Sequence, residues 1–476
     1  MALAQPIHHW LDALRTQRER RGRALAGWQA GIRKSVDLPG IASRAPALGT
    51  PEPFLAAREA NELPLALALA RELGDLAAAR AEARWLEALT SAQVSVDLEL
   101  LGLPEALREL PICVDRRRRA LLAKAVDDTL HGIEHHQAEA LERRLESRGR
   151  LELSSENALN SLIGFELTAL ASDAERVLRE TNDPANDLLA FRFRRAGVDA
   201  GRGGARHDFE LALQLLDLRE QLSPHRAQVL AEELARSVGL EPRAGGIAVD
   251  AEMRPGRIPG LVVARFGENE LAVVAAPLGS PSDAETLARG LGEAIHLSLL
   301  DGDDAVLVDP SLAKSTGWIL ARPLADPAWH RRVLRNPSRP AYELAQAFAL
   351  RSLFALRLAA ARFLTARELA NQGPTESAKD HARARINSAT CVDGPATGCY
   401  ALDVIDCAND LRALLLAERL HHALIEHADE DWWRNPHASE LLRAHAVETS
   451  TNRDSLVGTA PELAKLLAGF IARAAN

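Results

Sequence analysis

The 476-residue sequence predicts a mainly α fold that carries one small antiparallel β-sheet. Three observations lead there. Hydrophobic residues make up 47% of the chain and aromatics only 4%, and the apolar share is dominated by Ala and Leu, which lose little freedom in a helix. Leu65, Leu69, Leu73 and Leu76 fall at i, i+4, i+8 and i+11, one face of an α-helix. β-like runs are confined to residues 246–250, 261–266 and 271–275, with turn signals at Pro255-Gly256, Pro259-Gly260 and Gly267-Glu268-Asn269.

Read in order, residues 11–241 are helical nearly throughout. Pro64 suits the first turn of the helix that bears the Leu65 stripe, and Leu86 and Leu89 continue its spacing. Breaks fall at 37–40, Gly49-Thr50-Pro51, Leu103-Pro104, Asp183-Pro184 and 201–204, and residues 200–207 read as a flexible loop. The texture changes at Pro242, where the sheet begins. A helix follows over 283–300, and helices dominate again from Pro340 onward. No fixed-period repeat is present. The expected division is an N-terminal helical lobe, 1–204, and a second lobe, 205–476, holding the sheet, the 283–300 helix and the C-terminal helices.

The formal net charge of -9 argues against nucleic acid as a partner, because phosphate binding needs a basic face. Cys113, Cys391, Cys399 and Cys407 are too few and too scattered for a disulfide framework. No basic region precedes an apolar stretch near Met1, and no run reaches the roughly 18 apolar residues of a membrane helix. Cytoplasm is the expected location, with no membrane partner.

Residues 289–296 read Arg-Gly-Leu-Gly-Glu-Ala-Ile-His. Ahead of them come the strand Gly246-Ile247-Ala248-Val249-Asp250 and the turn Arg254-Pro255-Gly256-Arg257. Behind them come Asp326-Pro327-Ala328-Trp329 and the stretch 429–436 with Leu441-Leu442. In this order the segments resemble the thimet oligopeptidase and oligoendopeptidase F family of zinc metallopeptidases, whose central helix carries H-E-x-G-H-x-x-H. The resemblance runs from about 205 to 450; the N-terminal half matches only in helical character. It implies two helical lobes with the small sheet beside a deep cleft. In that family the outer residues of H-E-x-x-H bind zinc from one helix face, and the Glu activates water.

Gly292 and His296 keep their places in that motif, but the metal chemistry is replaced. Arg289 stands at the first zinc-binding His, Gly290 at the catalytic Glu and Glu293 at the second His. A guanidinium offers no lone pair to a metal, and a Gly cannot polarise water. The third ligand, a Glu downstream in the family, aligns with Lys314 or Val308, and no Glu lies between Glu293 and Glu343. No metal and no cofactor are therefore expected. Arg289 and Glu293, one helical turn apart, can pair, and with Lys314 facing them a charge cluster would bridge two helices where metal once did. The bland alternative is a solvated pair worth roughly 0.3–0.5 kcal/mol. The family's late oxyanion-steadying residue corresponds to Tyr400 or Asp410; Tyr400 equally suits a helix start.

Other motifs have simpler readings. His131-Gly132-Ile133-Glu134-His135 matches an inverted zinc motif but reads as a solvated helix face. Glu293-x-x-His296 and Glu418-x-x-His421 are the pairs a di-iron site uses, yet both fall inside segments the peptidase resemblance accounts for. Arg116 to Arg119 wraps round a helix and reads as a solvated face, and the cysteines read as small buried thiols. The function expected is that of a catalytically inactive peptidase-like protein. Its cleft, lined by Arg289, Glu293, His296, Lys314, Tyr400 and Asp410, would bind a peptide, a peptide-like ligand or a partner protein, with residues 261–266 or 271–275 offering a strand edge. The alternative is a metal-independent enzyme with Glu293 as general base, His296 as its partner and Tyr400 assisting; a metal enzyme with new ligands comes after it.

Overall fold

The computed structural model describes residues 5–198, 204–267, 270–395, 400, 402–448 and 460–475. Its N-terminal half contains the helices α1 (Gln5–Gln29) and α2 (Leu63–Ser91), a hairpin of β1 (Gln93–Val96) and β2 (Glu99–Gly102), and the helices α3 (Arg116–Ile133) and α4 (His135–Arg150). The C-terminal half begins with α5 (Arg206–Leu213), followed by β3 (Ile247–Asp250), β4 (Gly260–Gly267), β5 (Glu270–Ala276) and α6 (Asp283–Ser298). Then come α7 (Pro310–Ala321), α8 (Ser338–Gln372), α9 (Glu376–Thr390), α10 (Val404–Ala428), α11 (Ala438–Glu448) and α12 (Ala460–Ala475), with shorter helices between. The fold is mainly α, as the composition predicts.

Local chemistry sets these boundaries. Pro64 occupies the first turn of α2, and Leu65, Leu69 and Leu73 bury its stripe. Asp115, Asp309, Thr375 and Asp403 each accept backbone N–H groups at the starts of α3, α7, α9 and α10. α8 runs 35 residues and ends at Gly373, whose φ of 73° leaves the helical region. By length and composition α8 could cross a membrane, yet 72% of its most apolar window is buried inside the protein. Of residues 200–207, positions 200–203 lie outside the described residues, and Arg206 already opens α5.

The predicted sheet forms, with one difference in its pairing. β4 and β5 are antiparallel, but β3 joins the other edge of β5 in parallel. The 251–259 connection carries the chain across before the hairpin returns it to lie beside β3. Arg257 pins that connection: it is 1% exposed and donates to the carbonyl of Gln29 and to Asp250. β5 is thus central and offers no free edge, which removes 271–275 from the expected docking strands. The β1–β2 hairpin is a second, unforeseen sheet, its turn made by Asp97 at φ 53°.

The three-stranded sheet is covered on both faces, which is why β5 reads as a continuous apolar run rather than an alternating one. Ala264, Ala272 and Val274 pack with Ala26 and Ala30 of α1. On the opposite face Leu271, Val273 and Ala275 pack with Leu287, Leu291 and Ile295 of α6. The largest core crosses position 204, joining Leu11, Leu65 and Leu159 to Phe354, Leu411 and Phe470. Each half also has a core of its own, around Leu103 and Leu122 in one and around Leu291 and Trp329 in the other.

α6 and α7 cross with their backbones in contact. A Cβ on Gly292 would lie 2.7 Å from the Thr316 carbonyl oxygen and 2.8 Å from the Gly317 Cα, and one on Gly317 would lie 2.5 Å from the Arg289 carbonyl oxygen. Neither obstacle is a side-chain end that can swing aside. Gly292→Ala and Gly317→Ala are each expected to lose about 1–3 kcal/mol, as overpacked cores do. Denaturant midpoints measure this; wild-type midpoints in both variants would contradict the crossing.

Candidate functional site

The α6–α7 crossing sets the side chains that stand where the resemblance places a metal site. The Arg289 guanidinium lies over the Trp318 ring, 3.8 Å from its centroid. Burial lowers the Arg289 pKa, opposed by the nearby charges of Glu285, Asp410 and Glu293. Arg289 and Glu293 do not form a contact ion pair, because stacking on Trp318 takes the guanidinium. The bridge runs elsewhere. Lys314 on α7 pairs with Asp410 on α10, Nζ to Oδ1 at 2.5 Å. Desolvation works against the Lys314 charge, but Asp410, Asp406 and Glu293 outweigh it and raise its pKa. Glu293 is pushed up by burial, while Lys314 and Arg289 pull it back. Of the two positions that could align with the third ligand, Lys314 is the one that reaches this cluster.

From Asp410 the charges continue along α10 and across to the N-terminal half. Asp406 pairs with Arg71 on α2, and Asp403 with Arg148 on α4. Arg144 reaches Asp75 at 3.2 Å and Glu82 at 2.9 Å, and both acids also pair with Arg21 of α1. Burial acts to raise the Asp75 carboxyl, yet Arg21, Arg144 and Arg71 overcome it and hold it at about 2. A cavity of about 240 Å³ lies among these groups. Sequence reasoning missed Arg71, Asp75, Arg144 and Arg148. Their signal was the i, i+4 spacing of Arg71/Asp75 on α2 and of Arg144/Arg148 on α4.

Two expected cleft residues lie elsewhere. His296 is 0% exposed, its Nδ1 2.9 Å from the Thr316 hydroxyl and its ring centroid 6.3 Å from that of His445 on α11. It fastens α6 to α7 within the core instead of facing a cleft. Tyr400 packs in an apolar cluster with Leu141, Leu369, Ala378 and Ala382, with Lys379 5.8 Å from its ring centroid. Asp410, the other oxyanion candidate, does join the charge cluster. Cys399 lies outside the described residues; Cys113 and Cys407 are buried, and Cys391 is partly so.

The competing motifs are interhelical ties. Glu134 of the inverted zinc motif is 6% exposed and pairs with Lys379 on α9 and with His131, so it is no solvated face. Arg119 of the four-Arg run is 1% exposed and reaches Asp208 at 2.5 Å, again correcting a solvated reading. Glu418 is held by Arg473 at 2.7 Å and Arg322 at 3.3 Å. Among the described residues, no group of three or more His, Cys, Asp or Glu side chains is placed to hold a metal ion.

Solved structures share this architecture. PZ peptidase A with a bound inhibitor superposes with a TM-score of 0.59, 13% identity, and coverage of 86% of this chain and 79% of its own. A protein described as an oligoendopeptidase F from Bacillus anthracis gives 0.61, 12%, 93% and 84%. A second described oligoendopeptidase F gives 0.60, 14%, 98% and 95%. The fold is an oligopeptidase fold. In sequence, neither the protein-family models nor the curated proteins yield a match.

Within the oligopeptidase fold, this seam can hold two halves together and present fixed charges, but His296 is kept neutral. Burial, with His445 beside it, lowers its pKa to about 3. A folded pKa below the unfolded value near 6.5 means its stabilising contribution is present above pH 6.5 and lost as pH falls toward 3. Between pH 6.5 and 5, wild type is expected to lose about 2 kcal/mol relative to His296→Gln, from one extra proton bound on unfolding. Paired denaturation curves at each pH provide the check, and a constant difference would contradict the neutral assignment.

Proposed function

We propose that this chain is a non-catalytic oligopeptidase-fold protein that binds a peptide, a peptide-like ligand or a partner protein between its halves. The observation that carries this reading is at Gly290, the place of the catalytic Glu in the resembling family. A Cβ there would lie 2.6 Å from Leu261 Cδ1 and 2.8 Å from Val273 Cγ1, so the sheet itself occupies the space a side chain would need. On either side Arg289 is stacked on Trp318 and Lys314 is tied to Asp410, and neither cationic side chain offers a lone pair to a metal.

A second reading, a metal-independent enzyme, draws on Glu293, whose carboxyl burial raises toward the range of a general base. It lacks a partner: His296 is turned into the core against Thr316. The two readings separate experimentally. After dialysis against zinc, the protein is expected to hold no stoichiometric metal by elemental analysis and to leave a peptide pool uncleaved while retaining some of its members by calorimetry. Stoichiometric zinc with cleavage would overturn the proposal, and zinc-free cleavage lost in Glu293→Gln would favour the enzyme.

A further inference from the structure

A larger cavity, of about 650 Å³, lies between α3, α5, α8 and α9, apart from the α6–α7 crossing. Leu402 lines it, whereas Asp403, the next residue, lines the smaller charged cavity. Its walls combine three chemistries. Leu110, Leu358 and Ile386 are apolar; Arg206 and Arg362 bring positive charge; Glu210 and Asp127 bring negative charge.

Arg206 is built into place. Its backbone N–H donates to the Asp393 carbonyl at 3.0 Å and its Nη2 to Asn387 Oδ1 at 3.2 Å. Gly394 lets the following backbone lie on it, since a Cβ there would come 2.5 Å from the Arg206 Cβ. Its buried Nε has no hydrogen-bond partner. Among the described residues, Glu210 and Arg362 likewise make no hydrogen bond or ion pair, although both line the cavity.

We propose that this cavity binds a short peptide with both termini free, its carboxylate on Arg206 and Arg362, its ammonium on Glu210, and an apolar side chain against Leu358 and Ile386. The proposal rests on the reading of the protein as a peptide-like binder and names the site and the ligand class. A cavity lined by both signs of charge and by apolar side chains suits a zwitterion with an apolar side chain, because each terminus gains a charge-assisted hydrogen bond. The volume falls in the roughly 300–1,000 Å³ range of small-molecule sites.

Desolvation pushes Glu210 up to about 7, with Arg206 pulling it down and Asp127 adding to the rise. Arg362 on α8 and His207 on α5 complete the nearby charged and titratable groups, with Asp393 beyond them and Lys124 paired to Asp128 in solvent. Desolvation lowers the His207 pKa, with Arg119 and Arg116 adding to the fall and Asp208 opposing it. Ionisation of Glu210 therefore strengthens the ammonium site as pH rises from 6 to 7.5, below the usual titration of a peptide amine near 8.

Calorimetry with trileucine, its N-acetyl form and its C-terminal amide tests this on the full chain. Either blocked form is expected to bind at least about tenfold more weakly, the worth of one charge-assisted hydrogen bond. Arg362→Gln, at an exposed position, and Glu210→Gln should lose a similar factor while keeping the wild-type melting temperature. The rise in affinity from pH 6 to 7.5 should vanish in Glu210→Gln. Trileucine binding unchanged by both substitutions, or longer peptides binding where trileucine does not, would overturn this site and leave the broader function standing. No binding by trileucine or by a longer peptide pool would overturn both.

Discussion

Everything around Arg289, Glu293 and His296 depends on the backbone contact between α6 and α7. Gly292 and Gly317 bring the helices so close that a methyl group on either would strike main-chain atoms. That spacing puts Trp318 beneath Arg289, sets Thr316 against His296 and leaves Lys314 paired with Asp410. With side chains absent at 290, 292 and 317, the crossing is closed by packing. Dispersion and apolar burial do at this point what ligand bonds do in a metal site: they fix two helices relative to each other.

The second organising feature is electrostatic. Arg71 and Arg148 of the N-terminal half pair with Asp406 and Asp403 of α10, and beside them Arg21 and Arg144 share Asp75 and Glu82 within the N-terminal half. Such pairs add little net stability, because desolvation offsets much of their attraction, but removing one partner leaves a costly unpaired charge. Their effect is to fix which surfaces meet. Arg predominates in them because its planar fork can serve two carboxylates at once, as Arg144 and Arg21 both do.

Much of the fold was legible because it is written in local pattern. The Leu65 stripe, Pro64, the capping Asp residues and the short β-runs each act within a few residues of themselves. Which residues stand at the resembling family's motif positions, Arg289, Gly290 and Glu293, can also be read directly from the chain. What could not be read was set by distant partners. Trp318 takes Arg289 from Glu293; Thr316 turns His296 inward; Lys379 buries Glu134; Asp208 buries Arg119. The parallel pairing of β3 depends on Arg257 anchoring the connection to the end of α1, and no spacing rule carries that. The hairpin at Asp97 did leave a trace, apolar alternation at Val94 and Val96, in a region whose helical texture masked it.

The covering of one sheet face by α1 has a consequence for how the chain is made. Ala26 and Ala30 close over strands that emerge from the ribosome more than two hundred residues later, and Ile7 shares a core with Phe470 and Ala474. The face of the first helix that carries Ala26 and Ala30 must therefore wait, uncovered, until those strands are synthesised. Contacts of that sequence separation carry a large loop-closure entropy and form late. During synthesis that face of α1 is a natural client for chaperones, and its burial waits for the strands of the sheet.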